Sequence, residues 1–446
     1  VSPTPPISWR TLPAPRLLYA ATLLLPLAAL AFLWRPAGAA WAVALALLVL
    51  VSLLDFFAAP AAQVSVIREL PERLFLGREQ RLHIDFSVLA GSSTSLVKVR
   101  AIEDIPLDWE ADPVIPTFTL RAGQTNRYSI VVRPLKRGRY SLGALHVVQE
   151  TGFGLWRRVG KVEANTEARV YPDYQPGAST LAHKKDFGDL GQMRTRQRGE
   201  GTDFDSLREY RDGDELSHID WKATSRLGKV ISRQFTVEKD HDVMIALDCG
   251  RLMGSSYQGV TKFDFALRAA LALAEASLRA GDRVGVLVFD DKVKCFVPPG
   301  KGGGQLGHIL ESLHAIQSSF KETDFQRALT YLGVHHRKRS LVVLLTDFID
   351  RYTAGPMLMG MTTIARRHAC LFVAVEDPTV EERLLEAPKD SAGLAGQAVA
   401  YGMRKSRGEV LEVLRRAGAT VLNLQPDALT APVINAYLRL QSSGAL

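Results

Sequence analysis

The sequence predicts a mixed α/β protein in three tiers: a pair of apolar helices, an antiparallel β-sandwich and a doubly wound, mainly parallel α/β sheet. Three observations predict it. Two apolar runs lie near the N-terminus, residues 63–171 alternate with period two, and apolar strands alternate with amphipathic helices from Asp242 onward. The 446 residues are 47% hydrophobic and 23% charged, which excludes a disordered chain. Mean hydropathy is nevertheless +0.01 despite 55 basic and 47 acidic side chains, so the apolar residues must be concentrated somewhere. A net charge of +8 favours an anionic surface, either lipid headgroups or nucleic acid. Three scattered cysteines, Cys249, Cys295 and Cys370, suit neither a disulfide framework nor a four-thiolate zinc site.

The apolar excess sits in residues 1–61. Leu17–Trp34 and Ala39–Leu54 carry no charge, and the second run extends through Asp55 to Phe57. An 18-residue helix rises about 27 Å, close to the hydrocarbon thickness of a bilayer. Arg35-Pro36-Ala37-Gly38 reads as a tight breaker turn, giving a transmembrane hairpin with spans at about 17–34 and 39–57. Trp9, Tyr19, Trp34 and Trp41 fall where interfacial aromatics belong. A signal peptide is the competing reading, but a second span follows at once and no small-residue cleavage site is evident. Arg10 and Arg16 before the hairpin, and Arg68, Arg73, Arg78 and Arg81 after it, place both flanks in the cytoplasm by the positive-inside rule.

Residues 62–172 read as the β-sandwich. Leu82, Ile84, Phe86 and Val88 alternate with polar neighbours, and similar runs occur at Leu96–Ile102, Arg127–Val132 and Tyr140–Val148, punctuated by Gly, Asn and Asp. No cluster of catalytic residue types appears there, so a spacer or docking module is the simpler account.

Residues 173–240 form a charged junction. Within it Arg208, Tyr210, Arg211, Asp212, Asp214, Asp220, Trp221 and Lys222 interleave both signs with aromatic rings. Such a mixture builds ion-pair and cation–π networks, so these eight are candidate partner-binding or interdomain residues. A metal site using His218, Asp220, Asp240, His241 and Asp242 lacks a recognised three-ligand spacing. The mixed signs also make a phosphate-tracking stripe improbable, so no nucleic-acid partner is expected.

Residues 241–446 supply the alternating sheet. Strands are expected at 243–248, 283–289, 295–297, 340–345, 370–375 and 419–424, with helices at 262–280, 305–316, 324–332, 357–368, 406–417 and 429–440. Asp248, Asp290, Asp347 and Asp377 fall at strand ends, where ligands of such sheets bind. Pro298–Gln305 is glycine-rich but lacks the phosphate-loop order, and no G-x-S-x-G elbow is present.

The string Ser206-Leu207-Arg208-Glu209-Tyr210-Arg211-Asp212-Gly213-Asp214, continued by Ile219-Asp220-Trp221-Lys222-Ala223, resembles the hallmark of the bacterial domain-of-unknown-function 58 family. Pro134-Leu135-Lys136-Arg137-Gly138-Arg139-Tyr140 resembles it as well. The resemblance implies a von Willebrand factor A-like fold for residues 241–446. It implies a MoxR-type AAA+ ATPase and other von Willebrand factor A proteins as partners, in chaperone-like assembly or maturation of other proteins. It also implies a metal-ion-dependent adhesion site with Asp248, Thr323 and Asp347 as ligands and Mg2+ as the candidate ion. Gly250 and Leu252 stand where that family of sites carries two serines, which argues against tight binding. The expected function is a non-enzymatic, membrane-anchored protein-binding scaffold at the bacterial inner membrane, its soluble domains facing the cytoplasm. The alternative is a metal-dependent phosphoesterase or nuclease using the strand-end aspartates.

Overall fold

A computed structural model describes residues 8–33, 35–58, 64–88, 97–121, 123–174, 203–211, 216–236, 241–349, 354–444 and 446. The chain divides into two compact units, Val1–Asp173 and Tyr174–Leu446.

The first unit opens with strand β1 (Ser8–Pro13) and two apolar helices, α1 (Pro15–Leu33) and α2 (Arg35–Ala58). Residues 35–38, expected to break the chain, instead begin α2. A proline belongs comfortably in a first helical turn, where its missing N–H costs nothing. Pro36–Phe57 is long and apolar enough to cross a membrane, with mean hydropathy 2.5, whereas the comparable stretch of α1, Pro15–Leu30, is shorter.

Strands β2 (Val64–Glu69), β4 (Gln80–Val88), β6 (Trp109–Ala111) and β8 (Thr125–Pro134) form a sheet in the order β2-β4-β8-β6. The second sheet runs β1-β10-β9-β5-β7, from β5 (Val97–Glu103), β7 (Val114–Leu120), β9 (Gly138–Glu150) and β10 (Trp156–Tyr171), with β3 (Leu74–Phe75) beside β10. Alternate residues of both sheets share one core, in which Leu82, Ile84 and Phe86 meet Val99, Leu120 and Leu145. Period-two alternation does this because successive side chains leave a strand on opposite faces. Across that core Arg68 of β2 forms a buried ion pair with Glu103 of β5, tying one sheet to the other. Burial pushes the Glu103 carboxyl up to about 7 despite the guanidinium.

The second unit begins, among the described residues, with a two-stranded ribbon, β11 (Asp203–Glu209) against β12 (Ile231–Thr236). Helix α3 (Trp221–Leu227) lies between them. Its main sheet follows the order β17-β16-β13-β18-β19-β20. These strands are β13 (Asp242–Asp248), β16 (Arg283–Phe289), β17 (Val293–Gly300), β18 (Ser340–Thr346), β19 (Ala369–Val375) and β20 (Thr420–Leu424). All neighbours are parallel except β16 and the edge strand β17. A small ribbon, β14 (Ser256–Tyr257) and β15 (Val260–Thr261), precedes the first long helix. Every residue of β13 and β18 is buried, as continuous apolar strands require when both sheet faces are covered.

The helices are α4 (Lys262–Ala280), α5 (Gly303–Leu313), α6 (Phe325–His335), α7 (Gly355–Ala365), α8 (Pro378–Leu385), α9 (Ser391–Arg416) and α10 (Thr430–Ser442). Two differ from expectation. Helix α8 is not among the helices the sequence predicts, although Asp377 caps it and Pro378 opens it. Helix α9 starts 15 residues before Ser406 and carries Gly393, Gly396 and Gly402 inside it. Asp390 caps its start by accepting from the Gly393 N–H at 2.6 Å.

Candidate functional site

The carboxyl ends of β13, β18 and β19 bring Asp248, Asp347 and Asp377 to one edge of the sheet. They are not an open cluster of acids. Asp248 is buried, and its Oδ1 accepts from the Gly250 N–H at 2.8 Å and the Thr323 hydroxyl at 2.7 Å. Its Oδ2 accepts from the Thr346 hydroxyl at 2.6 Å. Burial pushes the Asp248 carboxyl up to about 6, partly opposed by those three hydrogen bonds.

Asp347 is held by two cations that sequence reasoning missed. Its Oδ1 accepts from the Phe348 N–H and from Arg407 Nη1, both at 2.7 Å. Its Oδ2 accepts from Lys262 Nζ at 2.8 Å. The same ammonium reaches Asp377 Oδ2 at 3.0 Å. Burial acts to raise the Asp377 carboxyl, but hydrogen bonds from Thr379 and Lys262 outweigh it and hold the group below its ordinary value. Arg407 is fixed in turn: its donors reach Phe348 O at 2.7 Å, Val375 O at 2.9 Å and Asn423 Oδ1 at 3.0 Å. Its guanidinium also stacks over the Phe348 ring, 4.6 Å from the centroid.

A faint signal for Lys262 was present in the sequence. It is the first residue of α4, next to the capping Thr261, where the helix dipole disfavours a cation. A buried lysine there needs a carboxylate partner. Arg407, in the middle of a 26-residue helix rich in basic residues, carried no such signal.

A cavity of about 250 Å³ opens beside these groups, lined in part by Arg251, Leu252, Lys262, Phe348, Glu376 and Arg404. On the surface around it Arg251 pairs with Glu322 at 2.6 Å, and Arg404 with Glu381 at 3.5 Å.

The implied divalent ion does not fit this arrangement. Both oxygens of Asp347 already face protonated donors, and Asp248 accepts from Thr323, the side chain expected to share the ion with it. Among the described residues no group of three or more His, Cys, Asp and Glu side chains could hold a metal. Gly250 shows why the missing serines matter: a Cβ there would stand 2.0 Å from Thr323 Oγ1 and 3.1 Å from Asp248 Oδ1. Gly250→Ala is therefore expected to destabilise the unit by about 1–3 kcal/mol through overpacking. Thermal unfolding of the detergent-solubilised chain measures this, and the added Thr323→Ala should recover much of the loss.

The junction residues fall differently. Asp220 caps α3, accepting from the Ala223 N–H at 2.9 Å, and pairs with Arg233 of β12 at 3.2 Å. Trp221 is 70% exposed and Lys222 is also exposed. Arg208 and Tyr210 lie at the end of the ribbon, with Arg211 next, while Asp212 and Asp214 lie outside the described residues. The structure thus brings Asp248, Thr323 and Asp347 to one sheet edge and sets the described junction residues on and around the β11–β12 ribbon.

Fold and site together define an α/β protein whose sheet edge is framed by buried ion pairs, preceded by a β unit that carries a long apolar helix. The family model described as Protein of unknown function DUF58 matches residues 206–389 of the chain. Uncharacterized proteins of Mycobacterium bovis and Mycobacterium tuberculosis are each 23% identical over 270 residues, covering 56% of this chain and 82% of theirs. Among solved structures, a conserved hypothetical protein BatB from Bacteroides thetaiotaomicron is 14% identical with a TM-score of 0.32, covering 46% of this chain and 99% of its own. An aerotolerance-related membrane protein from Bacteroides fragilis is 15% identical with a TM-score of 0.30, covering 45% and 98%.

Proposed function

We propose that this protein is a membrane-anchored scaffold whose von Willebrand factor A-like α/β domain binds another polypeptide. The observation that carries this reading is the pairing of the strand-end charges. Asp347, Lys262 and Arg407 are spent on one another and on backbone groups, and Asp248 on the Gly250 N–H and the Thr323 and Thr346 hydroxyls, so they frame a crevice and leave its rim for contact. The rim mixes apolar Leu252 and Ile349 with Arg251 and Arg404, a composition suited to a protein partner.

Helix α2, with α1 as its companion span, supplies the anchor. The basic residues flanking the helices favour the cytoplasmic face of the bacterial inner membrane. We infer a MoxR-type AAA+ ATPase as partner from the family resemblance. The aerotolerance-related membrane protein named above accords with membrane association and nothing finer. Exposed Trp221, on α3 and not among the residues lining the crevice, offers that partner a second contact, since tryptophans buried on binding dominate many interfaces.

Affinity capture with the full chain from detergent extracts should recover an AAA+ ATPase, and Trp221→Ala should reduce that recovery by about tenfold or more while leaving the melting temperature unchanged. Failure to recover an ATPase under several nucleotide conditions would remove the partner. Mg2+- or Mn2+-dependent cleavage of a phosphodiester by the purified chain, abolished by Asp347→Asn, would replace the scaffold with the phosphoesterase reading. An active periplasmic reporter at the C-terminus would reverse the orientation.

A further inference from the structure

We propose that the ammonium of Lys262 is the resident cation of the strand-end crevice, and that the site works without a divalent metal. Lys262 is 2% exposed, and its Nζ stands between Asp347 Oδ2 at 2.8 Å and Asp377 Oδ2 at 3.0 Å. Two carboxylates from the ends of neighbouring strand connections converging on one positive centre is what a hard cation demands of a protein. Here a side chain meets that demand. Arg407 Nη1 holds the remaining oxygen of Asp347 at 2.7 Å.

The spacing belongs to nitrogen donors. Oxygens bound to Mg2+ lie at about 2.0–2.1 Å in near-octahedral order, whereas these stand at hydrogen-bond lengths from protonated nitrogen. An incoming ion would also meet two full positive charges, Lys262 and Arg407, inside a poorly solvated crevice. Thr323 acts in the same direction: its hydroxyl donates to Asp248 Oδ1 at 2.7 Å, in space that the absent Cβ of Gly250 leaves open. Lysine has an advantage over a bound ion in such a place, because it cannot be chelated away and folding alone delivers it. This holds whatever polypeptide docks at the rim.

The test uses the full chain in detergent, with Mn2+ as the probe, followed by the fall of the free-ion electron paramagnetic resonance signal and by calorimetry. The wild-type protein is expected to leave the Mn2+ signal unchanged up to about 1 mM, and EDTA or Mg2+ should not move its melting temperature. Lys262→Met keeps an apolar stem but removes the charge, freeing Asp347 Oδ2 and Asp377 Oδ2. That variant should bind Mn2+ at least about tenfold more tightly than wild type and melt higher in its presence. If Lys262→Met does not fold, Lys262→Gln carries the same comparison. Wild-type binding that disappears in Asp347→Asn would overturn the proposal. So would silence in both wild type and the lysine variants, because the ammonium would then not occupy a cation position.

Discussion

Replacing Asp347 by alanine is expected to cost the α/β unit about 3–5 kcal/mol, the usual penalty for breaking a buried ion pair from one side. The reason lies in what remains. Side chains of Lys262, Asp347 and Arg407 are 3%, 7% and 12% exposed. Without the carboxylate, Arg407 keeps its bonds to Phe348 O, Val375 O and Asn423 but loses its counter-charge. Lys262 keeps only Asp377, which is 38% exposed and therefore partly screened by water. Lys262 would retain one partly exposed anion, and Arg407 would be left with neutral acceptors only. Asp347→Asn preserves the shape and one acceptor oxygen, so its cost should be smaller, about 1–3 kcal/mol. For a unit of this size each kcal/mol moves the melting temperature by about 2–4 °C, so the alanine variant should melt roughly 10 °C lower. A loss below about 1 kcal/mol would show that water replaces the carboxylate at little cost, and that the cations are less confined than their hydrogen bonds indicate.

The carboxylates of this site were legible from sequence because they end apolar strands, and strand ends in a parallel sheet face one way. Asp248 and Asp347 follow Val243–Leu247 and Leu341–Thr346, runs too apolar to be anything but buried strands. Their cationic partners were not legible. Lys262 lies 85 residues before Asp347, and Arg407 lies 60 after it. Only the crossover of α4 and α9 onto the sheet brings them together, and the hydrophobic pattern specifies which face of a helix is inward without saying which polar residue sits at its rim. Gly250 was legible as a departure from the expected serine, but the reason for it, the Thr323 hydroxyl, is a packing fact. In the first unit the alternation of Leu82, Ile84, Phe86 and Val88 gave a strand and its inward face, since burial of one sheet face fixes register. The Arg68–Glu103 pair inside the same core breaks that alternation rule and left no trace in it.

Asp55 interrupts the second apolar run. In the sequence it only marks the end of an apolar run; in the structure it is 1% exposed and holds a turn of the sandwich. Its Oδ1 accepts from the Phe153 N–H at 2.8 Å, and its Oδ2 from the Leu155 N–H at 3.0 Å and the Thr151 hydroxyl at 2.5 Å. Around it, Trp156 Nε1 donates to Ser52 O at 3.0 Å and Arg158 Nη2 to Phe56 O at 2.9 Å. The last turns of α2 are therefore keyed into the turn between β9 and β10, so a long apolar helix and a β-sandwich are coupled by named hydrogen bonds instead of a loose linker.

Asp55→Ala is expected to break this coupling, because it strands two backbone N–H groups that water reaches poorly, while the Thr151 hydroxyl can turn to Trp156 O at 3.1 Å. Each unsatisfied donor costs about 1–3 kcal/mol, so the local penalty should be about 2–6 kcal/mol. The loss should be local: the Leu82–Phe86 core of the sandwich does not touch Asp55 through any of these bonds. Hydrogen exchange on the detergent-solubilised chain reads it directly. Amides of Phe153 and Leu155 should exchange at least about thirtyfold faster, as 2 kcal/mol of opening energy implies, while those of β4 stay protected. Asp55→Asn, with one acceptor oxygen, should fall between the two. Unchanged protection at both amides in the alanine variant would mean that water satisfies them, and that the helix is held to the sandwich by Trp156 and Arg158 alone.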